Sequence, residues 1–466
     1  MNGGRFPLAT VAELVNRAGN APPPPRRERA QTPCATLVGA ALLLAAGVAR
    51  GAGAPGPDTI GVRIETGAGT DITNEQYYED AFIDTTFLGR HRVNTPETRY
   101  AGVLYAVVQG TRGERRAAYQ FQNELSIGDK VQRDALSMSW RDDLAPGWRT
   151  VLNPSIEWRH DRTFDRDQEE WRGSVRGRLR RSFAEDATTA ELGVVGDFVR
   201  TSGEGSEFLL DRNAGRASIA LDHLGLPGDE WRLGYGLATR VFPDSSVRDH
   251  LEHGWQGRWR HAFVAGHALT LETSGLRRQT RRIANNSRDN FWDEFATLEA
   301  DWRAAARWAL RLRLEGEALQ YDLQDSTIFF DYQIARARLG LRYESQGHWS
   351  LSAGPRGEIL ASRLNPGEGY REIGGAVEFE VLGSRALWSV TPAAGWRAYD
   401  QVPDTGSSVS LHSSYAFYEL DAFVDQALLD RLRLRALTSL RYELHTDPSQ
   451  DAGSLYLSMQ LRWLAR

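Results

Sequence analysis

The chain has 466 residues, 41% of them hydrophobic and 25% charged, with a formal net charge of -5. Its mean hydropathy of -0.47, and the absence of ~20 consecutive apolar residues beyond the N-terminal region, exclude a helical membrane protein. They leave open a barrel in which every second strand residue meets lipid. The acidic balance gives no footprint for nucleic acid, and a single cysteine, Cys34, excludes a disulfide framework or a four-cysteine metal site.

Residues 1–34 are Pro-rich and irregular and end in the basic cluster Arg26-Arg27-Glu28-Arg29. The apolar run ATLVGAALLLAAGVA follows at 35–49, then small residues from Ala49 to Ala54. A basic flank, a short apolar core and a small-residue exit describe a signal peptide, with cleavage after Ala49, Gly51 or Ala54. Residues 1–54 are therefore expected to be an N-terminal extension and signal peptide, leaving an acidic, cysteine-free exported chain. In 55–98 a first strand is expected at 59–65 (TIGVRIE), followed by a less regular segment with an aromatic, acidic stretch at 77–87 and Asn94-Thr95-Pro96. Residues 99–466 carry a regular strand pattern to the C-terminus.

The clearest unit is the hairpin at 171–201. Trp171, Gly173, Val175, Gly177, Leu179 and Phe183 fall on one face, and Arg172, Ser174, Arg176, Arg178, Arg180 and Ser182 on the other. That is period two, the mark of an extended strand. The chain turns at 184–186 and returns through Ala190, Leu192, Val194, Gly196 and Phe198, with Glu191 and Asp197 on the opposite parity. Such a strand suits a wall between water and lipid. Further strands are expected at 99–109, 117–127, 131–140, 147–160, 169–183, 187–200, 212–222, 229–241, 250–262 and 267–279. The series continues at 290–303, 306–320, 328–344, 348–360, 370–382, 386–399, 410–424, 430–445 and 454–464.

With 59–65 the passes number about 20, and an even count of about 16–20 is expected of a bacterial barrel. Long connections at 162–167, 201–211, 242–249, 280–290, 400–408 and 446–453 alternate with tight ones at 184–186, 264–266, 345–347 and 382–384. The short turn at Gly128-Asp129 is the exception. Two later strands repeat the two-faced pattern: Trp308, Leu310, Leu312 and Leu314 against Arg311, Arg313 and Glu315, and Leu432, Leu434, Leu440 and Leu444 against Arg433, Arg435 and Arg441. An arginine facing lipid at mid-membrane costs about 2–4 kcal/mol, so these strands have a firm register. Arg172, Arg176, Arg178, Arg180, Glu191, Asp197, Arg311, Arg313, Glu315, Arg433 and Arg435 are the candidate pore-lining residues. Mutual pairing of Arg172, Arg176, Arg311 and Arg433 with Glu191, Asp197, Glu315 or Glu380 is the alternative role. Trp148, Trp171, Trp231, Trp292, Trp349 and Trp463, with Tyr370, lie near strand ends and suit interfacial girdles.

Together these features resemble bacterial outer-membrane β-barrel proteins over nearly all of 59–466. Like theirs, the last strand alternates, through Leu455, Leu457, Met459, Leu461 and Trp463, but the chain closes with Leu464-Ala465-Arg466 where an aromatic residue is usual. The resemblance implies an all-β fold, a single transmembrane antiparallel up-and-down barrel in the bacterial outer membrane. It also implies the lipid bilayer and the outer-membrane assembly machinery as partners, and it is compatible with a homo-oligomer.

Sites of familiar chemistry are missing from the sequence: a Gly-rich phosphate loop, a His-Glu-x-x-His and a Gly-x-Ser-x-Gly elbow. His250, His253 and His261 form the closest histidine group, and His253 and His261 are too far apart along a strand to hold one ion alone. No catalytic residue, metal or cofactor is expected. The leading functional expectation is a passive porin-like channel for small hydrophilic solutes. A closed structural, assembly or surface-polymer export barrel is the alternative, and a barrel enzyme the third reading.

Overall fold

The computed structural model describes residues 59–465 except 84–85, 113–116, 163–166, 184–186, 204–210, 226–227, 264–265, 281–289, 324–330, 347, 364–365 and 401–411. The expected signal segment and Cys34 lie outside the described residues. Twenty strands form one sheet. The first ten are β1 (Thr59–Ile83), β2 (Thr86–Arg112), β3 (Ala117–Gly128), β4 (Val131–Ala145), β5 (Trp148–Asp161), β6 (Gln168–Phe183), β7 (Thr188–Gly203), β8 (Arg212–Leu224), β9 (Asp229–Val241) and β10 (His250–Ala262). The rest are β11 (Ala268–Thr280), β12 (Phe291–Ala305), β13 (Trp308–Tyr321), β14 (Tyr332–Glu344), β15 (Trp349–Ala361), β16 (Tyr370–Leu382), β17 (Ala386–Tyr399), β18 (Tyr415–Leu429), β19 (Leu432–His445) and β20 (Ala452–Ala465). Each strand pairs antiparallel with its sequence neighbour, and β1 pairs with β20 from Ile64↔Ala465 to Gln76↔Gly453. The sheet is therefore a closed barrel with no free edge along its wall, the arrangement that satisfies every ladder bond in lipid.

The two faces separate as the alternation demands. Arg356 on β15 meets Glu419 on β18 at 2.6 Å, reaching over β16 and β17, and Arg342 on β14 meets Glu380 on β16 at 3.2 Å. Contacts that skip strands form only where side chains converge, so this parity is the concave inner face. All 14 tryptophans fall on the other parity. So do nearly all exposed apolar side chains within strands, from Val62 and Leu192 to Ile373 and Leu461. A continuous apolar band of this kind is a lipid-facing surface. One polar pair on this face bonds within itself: Asn123 Nδ2 donates to Asp134 Oδ1 at 2.7 Å, opposite Trp158 in the β4–β5 register. Arg181, near one end of the band, lays its guanidinium over the rings of Trp148 and Phe183 at 4.6 and 5.1 Å, an interfacial snorkel.

Connections differ in length at the two ends. At one end β4–β5, β12–β13 and β18–β19 turn within two residues, each with a bulge on the incoming strand at Asp143/Ala145, Arg303/Ala305 and Ala427/Leu429. Gly147 supplies the positive φ of 73° for the first of these turns. At the other end, loops such as those between Thr280 and Phe291 or Tyr399 and Tyr415 are long, as extracellular loops are. The residue just before each of several returning strands there closes its loop. Asp211 accepts from Thr201 N, Asp249 from Phe242 N, Asp331 from Tyr321 N and Asp451 from His445 N, each at 2.8 Å. Asn290 does the same for Thr280 N at 2.6 Å. Asp331→Ala is expected to cost about 1–2 kcal/mol locally and to raise protease nicking between β13 and β14 severalfold. Asp331→Asn should keep most of the protection, because Asn290 does this work one hairpin away; equal nicking of both variants would count against the cap.

Two expectations change. The described part of 67–98 is not irregular: β1 continues to Ile83 and β2 runs from Thr86, forming a two-stranded ribbon. β20 stops pairing with β1 at Gln76 and β3 joins β2 only from Ala101, so the ribbon extends beyond the wall, with a register shift at Ala81/Phe82. Period two fades there because a ribbon outside the membrane has no lipid face to enforce it. β18 begins at Tyr415 rather than at 410. Ser414 Oγ accepts from Tyr399 N at 3.2 Å and Ser413 N donates to Gln450, so the chain there serves the loops instead of the ladder.

Candidate functional site: the charged inner wall

Arg172, Arg176, Arg178 and Arg180 share the inner face of β6, and Glu191 and Asp197 that of β7: Ser174 pairs with Asp197 and Arg180 with Glu191 in register. Arg311, Arg313 and Glu315 line the inner face of β13, and Arg433 and Arg435 that of β19. The wall is thus charged all the way round, and these residues lie in three separate stretches of it. Trp148, Trp231, Trp349 and Trp463 sit on the outer face near the short-turn end, and Trp171 and Trp292 near the long-loop end. Tyr370 corrects the expectation: it projects inward and is buried. Its even parity on β16 is that of Glu372, and its place at a strand end in the sequence concealed this.

Pairing on the wall is dense, with other partners than the sequence suggests. Arg172 bonds Glu170, its neighbour along the strand. Arg311 takes Asp301 at 2.8 Å, Arg433 takes Asp425 at 2.9 Å, and Glu315 holds Arg313 at 2.6 Å. Glu380 pairs with Arg342, and Glu191 lies 4.0 Å from Arg178. Arg176 and Asp197 have no ion-pair partner among the described residues. Arg172 and Arg313 pair along their own strands, while cross-strand register decides the other matches, and register is invisible until the strand pairs are known.

The most constructed part of the wall spans β15–β18. Arg356, Gly374, Gly395 and Phe417 are successive register partners across four strands. The two glycines leave a trough. A Cβ on Gly395 would meet Phe417 Cζ at 2.4 Å and Ile373 O at 2.5 Å, so only glycine fits. Phe417 lies in the trough at 1% exposure, and Arg356 stacks on its ring at 4.8 Å while reaching Glu419. Beside it Arg397 bonds Glu372 at 2.7 Å and lies 4.0 Å above the Tyr370 ring and 5.6 Å from that of Tyr415. Tyr370 Oη in turn donates to Glu358, which also holds Arg336. A recess of about 490 Å³ opens over this network, lined by Arg336, Arg356, Glu372, Arg397, Glu419 and Arg441 among others. No spacing in the sequence marks it: the residues named come from six strands, β14 to β19, and only the pair of inward glycines hints at a trough.

The wall of β6–β9 is different. A recess of about 360 Å³ is lined there by Arg172, Arg176, Arg212 and Arg240, with Ser155, Ser174, Glu157 and Asp197. Glu157 is engaged by both Nε and Nη2 of Arg133 at 2.8 and 3.0 Å. Arg212 keeps a buried Nε without a hydrogen-bond partner. Over β4–β10 inward arginines outnumber inward carboxylates, and round the remaining wall the balance reverses.

The histidine group does not converge. His250 faces inward against Glu252 at 3.0 Å, whereas His253 and His261 lie on the outer face, bonded to Tyr235 and Asp229 at 2.6 Å each. Among the described residues no cluster of three candidate ligands could hold a metal. Ser413, His445 and Glu443 do stand in series: Ser413 Oγ is 2.8 Å from His445 Nδ1, and His445 Nε2 is 3.3 Å from Glu443. Yet Nδ1 also lies 3.1 Å from the Ser413 carbonyl, and the hydroxyl bonds Gln450 Oε1 at 2.8 Å. Both groups are tied into loop closure, an arrangement unlike an activated nucleophile.

Neither a family model nor a curated protein matches this chain. Solved structures share the fold. The siderophore receptor PirA from Pseudomonas aeruginosa is 11% identical with a TM-score of 0.51, over 86% of this chain and 80% of that one. PirA from Acinetobacter baumannii is 7% identical with a TM-score of 0.52, over 86% and 80%. The copper transporter OprC is 9% identical with a TM-score of 0.52, over 87% and 80%. Closed sheet, lipid-facing band and loop asymmetry together make the chain a bacterial outer-membrane β-barrel.

Proposed function

We propose that the chain is an outer-membrane transport barrel that carries a hydrophilic solute through its lumen. The observation that carries this reading is the inner wall, where ionic side chains face inward from every part of a 20-stranded closed sheet. Strands spaced ~4.8 Å and tilted ~40° close twenty of them at roughly 40 Å, backbone to backbone. Two facing arginines do not span that distance, and charged groups that meet no partner across it need water. The similar structures are named as receptors and a transporter, which favours uptake of a chosen ligand over the unselective passage of a porin. An enzymatic reading gains nothing from the Ser413–His445 geometry. The bilayer is the barrel's constant partner, and β20, with Trp463 near its end, is the strand presented to the assembly machinery.

The test is conductance. The refolded barrel in planar bilayers is expected to give discrete steps, and proteoliposomes should swell in small sugars. Protein shown to be inserted, by protease protection, that gives neither would overturn the reading of a solute path.

A further inference from the structure

The geometry assigns an oxyanion site to the recess between β6 and β9, taking a small solute that bears two carboxylate or phosphate groups. This rests on the transport reading above and names the class of solute for it. Most inward arginines of the barrel are neutralised: Arg311, Arg336, Arg397, Arg433 and Arg441 each lie within 3.2 Å of a carboxylate. Among the described residues Arg176 and Arg212 are not, nor are Arg180 and Arg216 on the same two strands, and of these four Arg176 and Arg212 border the recess. They stand on β6 and β8 with β7 between, about 10 Å apart across the sheet, and offset along it because Arg212 is level with Arg172. Two separated cations match two oxyanions better than one. A guanidinium offers planar, paired N–H donors suited to either group, and the buried, unbonded Nε of Arg212 leaves donor capacity unspent. Arg172 and Arg240 flank the pair while holding Glu170 and Glu252. Ser155 and Ser174, 2.7 Å apart, add hydroxyls at the floor.

Asp197 is the counterweight. It occupies the register position between Ser174 and Ala214, inside the ring of arginines, and has no ion-pair partner among the described residues. Its carboxylate limits affinity, which suits a solute that must leave as well as enter. Across the lumen, ten strands on from β8 in the 20-stranded sheet, β18 exposes Asp421, also without an ion-pair partner among the described residues. The two walls therefore set up a field that draws anions toward β6–β9. Screening over about 10 Å at 0.1 M salt confines its reach, so the contacts act at the wall itself.

The test uses the full-length barrel in detergent and in planar bilayers at low salt. Calorimetric titration with succinate is expected to show binding at least tenfold tighter than with acetate. The R176Q/R212Q double variant should lose at least tenfold of it, and D197N should gain severalfold. Inorganic phosphate is the second probe, and 1,3-propanediol bisphosphate, bearing two phosphates, should follow succinate. In bilayers the chloride-to-potassium permeability ratio should fall severalfold in R176Q/R212Q. Both arginines border open space, so the variant should fold, and heat-modifiable gel migration checks that it does. Conduction with unchanged selectivity and unchanged succinate affinity in the double variant overturns the site and leaves the transport reading standing. Arginine-dependent succinate binding in a barrel that does not conduct keeps the site and removes the solute path. Equal affinity for acetate and succinate overturns the two-oxyanion class.

Discussion

Leu314→Arg is expected to destabilise the barrel by about 2–4 kcal/mol, the cost of an arginine facing lipid near the bilayer midplane. Leu314 lies midway along β13 on the outer face, between Leu298 and Ala337 in register, and is 38% exposed to what is hydrocarbon in the membrane. The matched control is Leu437→Arg. Leu437 is equally apolar and 42% exposed, but its register partners Phe423 and Ser458 put it on the inner face, where arginine is the commonest cation. That change should stay within about 0.5 kcal/mol. Urea titration of both variants folded into vesicles, read by tryptophan fluorescence, gives the comparison. Equal losses would mean that the two parities do not divide lipid from water, and the orientation of the wall would be wrong.

Arg397→Ala should cost about 3–5 kcal/mol, the range for breaking a buried ion pair by removing one partner. The change leaves Glu372, whose side chain is 7% exposed, facing a void with only Arg356, at 3.4 Å, still beside it. It also removes the cation stacked on Tyr370. Arg397→Lys is expected to recover less than half, since an ammonium cannot bond Glu372 and lie flat on the ring together. The double variant Arg397→Met/Glu372→Gln should be more stable than Arg397→Ala alone, because it leaves no uncompensated charge. A double-mutant cycle in urea would show coupling of about 0.5–3 kcal/mol; purely additive losses would mean that the two side chains do not act as a pair.

The parity of Arg172, Leu179, Leu192 and Leu314 was legible because lipid and water lie on opposite sides of every strand. A one-residue slip would move each side chain to the wrong medium. The same pressure made strand positions readable from 99 onward and faded toward 77–98, where the β1–β2 ribbon runs beyond the last wall pairing at Gln76. Tyr370 could not be placed by its aromatic character, since a ring at a strand end serves a girdle or an inward stack equally well. The partners of Arg311 and Arg433 were equally hidden: each guanidinium takes a carboxylate on the adjacent strand, Asp301 and Asp425, and which carboxylate lies within reach depends on the register.

From its alternation alone the sequence determines an all-β barrel of about 20 passes, its inward arginines and outward tryptophans, and which connections are long. Those are local properties, imposed residue by residue by the medium each side chain meets. The tertiary structure alone decides closure of β1 on β20, the glycine trough under Phe417, and that Arg176 and Arg212, without carboxylate partners among the described residues, border one recess. Those follow from register between strands distant in sequence, and the distances over which charges pair are set by that register.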